Sequence, residues 1–347
     1  MKVLFLLPIF KNTGPSNVVV SMIKKLLQHN VNLILISFYP VQDNYQDKFS
    51  SDTVRLIELT GFNFRSFRFL WRFIRDENVD VVHSHCLLPD IANPIISLFN
   101  KNKSVSSLHC NVKDNYRNEY SFPKGPVYYW LHRFSLMCIR RVICVSSSAQ
   151  LSERSEIIYN GIGSRTLTPS SSNSINLIFA GRLIESKNII FLLDSFDYLL
   201  EQRKEKSKTI QLHIFGDGEL YSTIKQRNNE HVILHGFVTD YLSKLPQNSI
   251  VVNPSLFEGM PMAVVEALSC NIPVVLSAID AHNEIAKHIH SGVALHSNSK
   301  ESFYQAVQYL LNEKDDVVFD NDLMASQYEA EFSDTVMVKK YLKVYQS

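Results

Sequence analysis

Two carboxylates eight residues apart carry the most pointed chemistry in the chain. Glu258 stands in Asn253-Pro254-Ser255-Leu256-Phe257-Glu258-Gly259-Met260-Pro261, where an apolar strand runs into a Pro/Gly loop. Glu266 stands in Val264-Val265-Glu266-Ala267-Leu268, inside a helix expected to begin near Pro261, a residue favoured in a first helical turn. A carboxylate in so apolar a run is costly unless it is paired or accepts hydrogen bonds. A ribose diol supplies two donors of the right kind. Glu258, on the loop, is placed to reach a sugar hydroxyl. The amides of Gly259 and Met260, near a helix N-terminus, make a natural seat for phosphate. The plain alternative is that Glu258 caps the helix and Glu266 pairs with a buried base.

A second group is Gly181-Arg182-Leu183-Ile184-Glu185-Ser186-Lys187, directly after the apolar run Asn176–Ala180. It sets two cations at the carboxyl end of a strand. A departing nucleotide diphosphate gathers negative charge, and without a metal that charge must be met by Arg, Lys and helix-end amides. The alternative is a solvated helix start. A third group is Phe215-Gly216-Asp217-Gly218-Glu219, whose glycines let backbone approach a ligand closely, or simply turn a strand into a helix.

These groups need elements to hold them. Short runs rich in Val, Ile and Leu, without polar alternation, recur at Val3–Leu7, Asn32–Ser37, Val79–Val82, Val105–Leu108 and Arg141–Val145. They recur again at Asn176–Ala180, Gln211–Phe215, Val232–Leu234, Ser249–Asn253 and Pro273–Leu276. Helical patterns such as Val18–Gln28 lie between them. This is the βαβ alternation of parallel sheets covered on both faces. The breaker-rich stretch 166–174 reads as a linker, and 347 residues suit two domains. The expected fold is α/β, with two Rossmann-like doubly wound domains facing each other across a cleft. The domains are placed at 1–165 and 175–330, followed by a closing helix within 331–347. Ligands of such sheets bind beyond the carboxyl ends of the strands.

Composition narrows the partners. Net charge is +1, which gives no sign of nucleic acid, yet residues 1–165 carry +8 and residues 166–347 carry −7. A basic half can steer anions or sit on an anionic membrane, or the two halves attract each other. The five cysteines are scattered, with no CxxC spacing, and read as reduced, buried thiols of a cytoplasmic protein. The apolar start, Met1–Phe10, contains Pro8 and is not followed by a small-residue cleavage site, so a first buried strand is expected there. Nothing is long and apolar enough to span a membrane. Asp320-Asn321-Asp322 fits a metal-holding D-x-D pattern, but its acidic surroundings read as a helix-capping turn. His83 and His85 have no Cys or carboxylate partner at ligand spacing, so no metal is expected.

The ordered set of motifs resembles the retaining glycosyltransferases of family 4, which have the GT-B fold. Glu258 and Glu266 match that family's E-x7-E motif. Asp80-Val81-Val82-His83-Ser84-His85 resembles its D-V-V-H-x-H strand end, Ile143-Cys144-Val145-Ser146 its V-x-V-S strand, Tyr159-Asn160-Gly161-Ile162 its P-N-G-I turn, and Gly236-Phe237-Val238 its G-x-V loop. The resemblance covers nearly the whole chain. It implies that Glu266 holds the donor ribose, and that Glu258 lies by the transferred sugar. Gly259, Met260 and Pro261 would shape the sugar and phosphate pocket, and Arg182 and Lys187 would bind the diphosphate. Gly216, Phe237 and Val238 would border the donor. Gly14 would approach the phosphate or acceptor, and His109 would line the sugar site. It further implies a metal-independent hexosyltransferase that retains anomeric configuration, with a UDP-sugar as co-substrate and no other cofactor. The implied acceptor is a glycan or a lipid-linked sugar of cell-surface polysaccharide assembly.

The chain departs from the pattern at four places. Gly14-Pro15-Ser16 replaces a double glycine, Asn271 a common glycine, Gly163 a usual Asp, and Asp280-Ala281-His282-Asn283-Glu284 lacks a Gly-Gly before its glutamate. A nucleotide-sugar epimerase of the same fold, and a degenerate nucleotide binder, are the rival readings. Finally, 62–75 sets Arg65, Arg68, Arg72 and Arg75 on one helical face beside Phe64, Phe67, Trp71 and Ile74, and Tyr128–Arg133 is also aromatic and basic. Either these stripes bury against the first-domain sheet, or they attach the protein to the cytoplasmic face of an anionic membrane.

Overall fold

A computed structural model describes residues 1–11, 13–42, 54–98, 100–152, 155–204, 206 and 208–347. They divide into two compact units, Met1–Gly161 with Asp334–Ser347 (unit 1) and Ile162–Ser333 (unit 2).

Unit 1 begins β1 (Lys2–Leu7), α1 (Gly14–Leu27), β2 (Asn32–Ser37), β3 (Val54–Glu58), α2 (Phe64–Asp76), β4 (Val81–His85) and α3 (Leu87–Leu98). It continues β5 (Lys103–Leu108), α4 (Val112–Glu119), α5 (Lys124–Met137), β6 (Arg141–Cys144) and β7 (Glu156–Ile157). Its strands form one parallel sheet in the order β3-β2-β1-β4-β5-β6-β7. β1 and β2 are buried over five successive residues without alternation, as a sheet covered on both faces requires.

β4 starts and ends later than the apolar run 79–82 suggests. Its last three residues are polar yet fully buried because each finds partners. His83 sits between the hydroxyls of Tyr345 and Ser107 at 2.7 and 2.8 Å, and Ser84 donates to Asp90 at 2.5 Å. β3 and β7 give no apolar run to read. One is a half-exposed strand at the sheet edge and the other has two residues. The thiols depart from expectation too: Cys144 is buried, but Cys138 is exposed and Cys86, Cys110 and Cys270 are half-buried.

Unit 2 comprises β8 (Ile175–Ala180), α6 (Ile189–Gln202), β9 (Ile210–Phe215), α7 (Tyr221–Gln226), β10 (Val232–Gly236) and β11 (Ser249–Asn253). It continues α8 (Met262–Ser269), β12 (Val274–Ser277), α9 (Asp280–His288), β13 (Val293–His296), α10 (Lys300–Tyr309) and α11 (Asn321–Glu331), which Asp320 caps by accepting from the Leu323 amide. The sheet is again parallel, in the order β10-β9-β8-β11-β12-β13, over a core that includes Phe179, Phe196 and Phe303. The stretch 166–174 is no free linker. The Gln247 amide donates to the Ser170 carbonyl, and the Asn176 side chain donates to Ser172 and Ser174, so the segment is tied into unit 2.

The last helix, α12 (Asp334–Gln346), belongs to unit 1, where it packs beside α1. Tyr341 and Tyr345 are fully buried, one on Ser107 and the other on His83.

At the carboxyl ends of β8, β9 and β10, three loops are stitched backbone to backbone. Gly181 and Gly216 amides donate to Phe215 and Gly236 carbonyls, and the Leu183 amide donates to Asp217. A Cβ on Gly216 would fall 1.9 Å from the Gly181 carbonyl oxygen, and one on Gly218 within 2.9 Å of three Leu183 backbone atoms. Their lack of a side chain therefore serves the neighbouring main chain whether or not a ligand is present. Gly216→Ala is expected to destabilise unit 2 by about 1–3 kcal/mol, the usual range for overpacking. Urea titration followed by tryptophan-independent far-UV circular dichroism checks this, with Gly236→Ala, which has open space around its Cβ, showing the smaller steric effect.

Candidate active site

The unit 2 candidates gather along one edge of their sheet. Arg182 follows β8, Gly216 follows β9, Phe237 and Val238 follow β10, and Glu258 to Pro261 follow β11. These four strands are neighbours, so the topology brings together residues up to 79 positions apart. The parallel arrangement forces this, since every strand ends on the same side.

Glu258 is the most constrained of them. Its side chain is 11% exposed and forms an ion pair with Lys187, itself 21% exposed. Ser255 Oγ lies 2.8 Å from the same oxygen, Glu258 Oε1, and donates to it, and Asn253 Nδ2 donates to that oxygen from 3.4 Å. Burial pushes the Glu258 carboxyl up, but the Lys187 ammonium and the Ser255 hydroxyl outweigh it and leave it below its ordinary value. Glu258 is not the cap of α8, whose N-cap position is Pro261 without a side-chain bond. Lys187 closes a short turn, Glu185–Lys187, after which Asn188 takes a left-handed φ of 53°. The Leu256 amide donates to the Ser186 carbonyl and so fastens the Lys187 turn to the Glu258 loop.

Behind this pair stands a second frame that sequence reading missed. Ser277 Oγ donates to the Ser255 carbonyl at 2.6 Å, and His282 Nδ1 donates to the Ser277 carbonyl at 2.8 Å. His282 is fully buried and burial pulls it down to about 4, so it is neutral. The spacing Asn253, Ser255, Glu258 was a legible signal for the inner bonds. Nothing in the sequence announced Ser277 and His282, which come from the next strand and helix.

The remaining candidates divide. Arg182 is exposed and makes no ion pair among the described residues. Phe237 is exposed, Gly259 half-buried, Met260 and Pro261 buried. Glu266 is half-buried on α8, where its charge adds to burial in pushing the Tyr241 hydroxyl well up. In unit 1, Gly14 opens α1 after β1, and His109 directly follows β5, both at carboxyl ends of strands. His109 Nε2 lies 2.8 Å from His85 Nδ1, and burial holds His109 at about 4. Among the described residues no group of three or more His, Cys, Asp or Glu could hold a metal.

Comparison with known proteins places these features. Residues 13–163 match the family described as Glycosyltransferase Family 4, and residues 174–313 match Glycosyl transferases group 1. A UDP-Gal:alpha-D-GlcNAc-diphosphoundecaprenol alpha-1,3-galactosyltransferase of Escherichia coli is 25% identical over 323 residues, 83% of this chain and 81% of its own. The capsular polysaccharide biosynthesis glycosyltransferase CapH of Staphylococcus aureus is 25% identical, covering 68% and 69%. Among solved structures, Anabaena HepE in complex with UDP and glucose superposes with a TM-score of 0.78 at 15% identity over 100% of this chain and 99% of its own.

Removing Lys187 alone strands a nearly buried carboxylate. Lys187→Met is therefore expected to cost about 2 kcal/mol at neutral pH, less than a fully buried pair because both groups keep some solvent. Glu258→Gln added to it should recover part of the loss. Because the folded carboxyl value is depressed, the stability the wild-type pair adds is present above the ordinary value of 4.5 and fades as pH falls through the folded value. Urea unfolding of the four cycle members, at neutral and acid pH, measures both effects. The two matched domains, in tandem over most of the chain and folded as two parallel sheets of the GT-B kind, make this protein a glycosyltransferase of the family 4 and group 1 type.

Proposed function

We propose that unit 2 binds a UDP-sugar and that the enzyme transfers its hexosyl group to a glycan or lipid-linked acceptor with retention of configuration. The observation that carries this is the Lys187–Glu258 pair, braced by Ser255 and set on the same sheet edge as Arg182. Arg182 and Lys187 meet the diphosphate charge, and the amides of Gly259 and Met260 before α8 add to it. That supply of positive charge supports a metal-independent reaction. Glu258 takes the transferred sugar's hydroxyls, Glu266 takes the ribose, and Phe237 and Val238 border the base. Gly14 and His109 serve from unit 1. The bond from the anomeric carbon to the diphosphate oxygen breaks, the acceptor oxygen bonds to the same face, and its proton passes to the departing phosphate. The UDP bound by HepE and the UDP-galactose named for the Escherichia coli relative support the choice of nucleotide.

Attachment to the cytoplasmic face of a membrane is the second part of the proposal. Arg65, Arg68, Arg72 and Arg75 are all exposed on α2. The aromatic stripe beside them splits: Phe64 and Trp71 are exposed, Phe67 is half-buried and Ile74 is buried with Leu70 and Phe73. The larger apolar surface lies on α5, where Val127, Trp130, Leu131, Phe134 and Met137 are all exposed at helical spacing. α2 packs on α3, and α3 packs on α5. No helix among the described residues is long and apolar enough to cross a membrane.

UDP at about 100 times its dissociation constant should stabilise the fold by roughly 2.7 kcal/mol, seen as a melting shift. The shift should survive EDTA, vanish in Arg182→Ala Lys187→Ala, and be absent with GDP or ADP. Glu258→Ala should abolish sugar transfer, and wild-type transfer by that variant removes Glu258 from the site. For the membrane, liposomes with anionic lipid should float the wild type but not Trp130→Ser Phe134→Ser. Neutralising the four α2 arginines should weaken flotation and its dependence on salt, and equal flotation of all three removes this face as the anchor.

A further inference from the structure

Which ring nitrogen of His109 carries its proton decides whether it can give or take a hydrogen bond. The surroundings of His85 settle that choice. His85 is fully buried at the end of β4, and its Nδ1 lies 2.8 Å from His109 Nε2. Its ring stacks on His109 at 5.1 Å and lies tilted against His83 at 4.4 Å between centroids, with Phe5 packed against it at 6.0 Å. Three imidazoles so close, His83 and His85 fully buried and His109 half-buried, are neutral, and desolvation pulls each of them down, His83 to about 3 and His109 to about 4.

Between two neutral imidazoles one nitrogen donates and the other accepts. Suppose His109 Nε2 donates. Then His85 Nδ1 must be bare and its proton must sit on Nε2. That nitrogen is buried and has no hydrogen-bond partner among the described residues. A buried N–H without an acceptor is rarer and costlier than a bare lone pair. His83 cannot serve as the acceptor, because Tyr345 and Ser107 occupy both of its nitrogens. The opposite arrangement leaves only a lone pair on His85 Nε2. In it His85 Nδ1 donates, His109 Nε2 accepts, and neutral His109 keeps its proton on Nδ1.

We infer that His85 is a positioning residue that holds His109 as the Nδ1–H tautomer, so that His109 meets the donor sugar or its phosphate as a hydrogen-bond donor and not as a base. This rests on the reading of His109 as a donor-site residue. The hydroxyl chain Tyr345–His83–Ser107–Tyr341 anchors the stack from behind, with His83 clamped at both nitrogens.

Long-range nitrogen–proton NMR of the full protein labelled with nitrogen-15 histidine, near neutral pH and without substrate, reads the tautomers directly. His109→Phe and His85→Asn assign the two signals. The expected result is Nδ1–H for both residues, and Nε2–H at His109 overturns the inference. Activity then tests the positioning. His85→Leu should lower kcat about tenfold, the worth of one neutral hydrogen bond, with little change in KM for the nucleotide sugar. His85→Asn, whose amide places an N–H where Nδ1–H stood, should restore most of it. Equal loss in both variants, or none in either, overturns the positioning role. The spectrum is independent of turnover, so a wild type that binds no nucleotide sugar sinks the site reading without touching the tautomer result.

Discussion

Every strand pairing in both sheets is parallel, and the rest of the molecule follows from that. Parallel neighbours cannot be joined by tight hairpins, so each connection crosses a face and returns, usually through a helix. The helices cover both faces, which is why the central strands are buried along nearly their whole length. All strands of a sheet then end on one side. Loops distant in sequence crowd together there, close enough that Gly216 and Gly218 touch the main chain of the preceding strand's loop. Polar chemistry collects on that side because it is where main chain leaves the covered sheet.

Crowding alone does not make a site. What distinguishes the end of β11 is a carboxylate and an ammonium drawn from separate loops and held nearly out of water. Lys187 needs a negative partner in that setting, and Glu258 supplies it while the Ser255 hydroxyl and Asn253 amide share the same oxygen. In the proposed donor complex a diphosphate would bring a stronger claim on the same ammonium. On the proposed donor-site reading, the arrangement keeps both charges satisfied before the ligand arrives and would free a carboxylate for sugar hydroxyls when it does. His282 stays neutral behind the pair and adds no competing charge.

Much of this was legible in the residues. Unbroken Val, Ile and Leu runs located the central strands, because nothing else buries both faces of an extended segment. Glu258 and Glu266 stood out because carboxylates in apolar surroundings need partners. Elements at the margins were harder. β3 lies at an edge and is half exposed, so it carries no apolar run, and the end of β4 hid behind three polar residues whose partners come from β5, α3 and α12. The stretch 166–174 looked like a linker because its bonds go to distant backbone and Asn176, which composition does not reveal. Asn271, a departure from the family's usual glycine, proves harmless in conformation: it takes φ 55°, a region asparagine tolerates. The α2 stripe left burial and membrane attachment both open because its aromatics are shared between the core and the surface, while the exposed apolar face of α5 shows no strong amphipathic pattern.

The place of α12 bears on how the molecule is made. Unit 1 is discontinuous: its sheet is complete by Ile157, but Tyr341 and Tyr345, which seal His83 and Ser107, come after all of unit 2. On the ribosome, unit 2 has every residue it needs while unit 1 still waits for its last helix with buried hydroxyl and imidazole groups unsatisfied. The order of synthesis is therefore not the order of completion. A stall or premature stop anywhere in the second half of the gene leaves the first domain unfinished, even where the second is already whole.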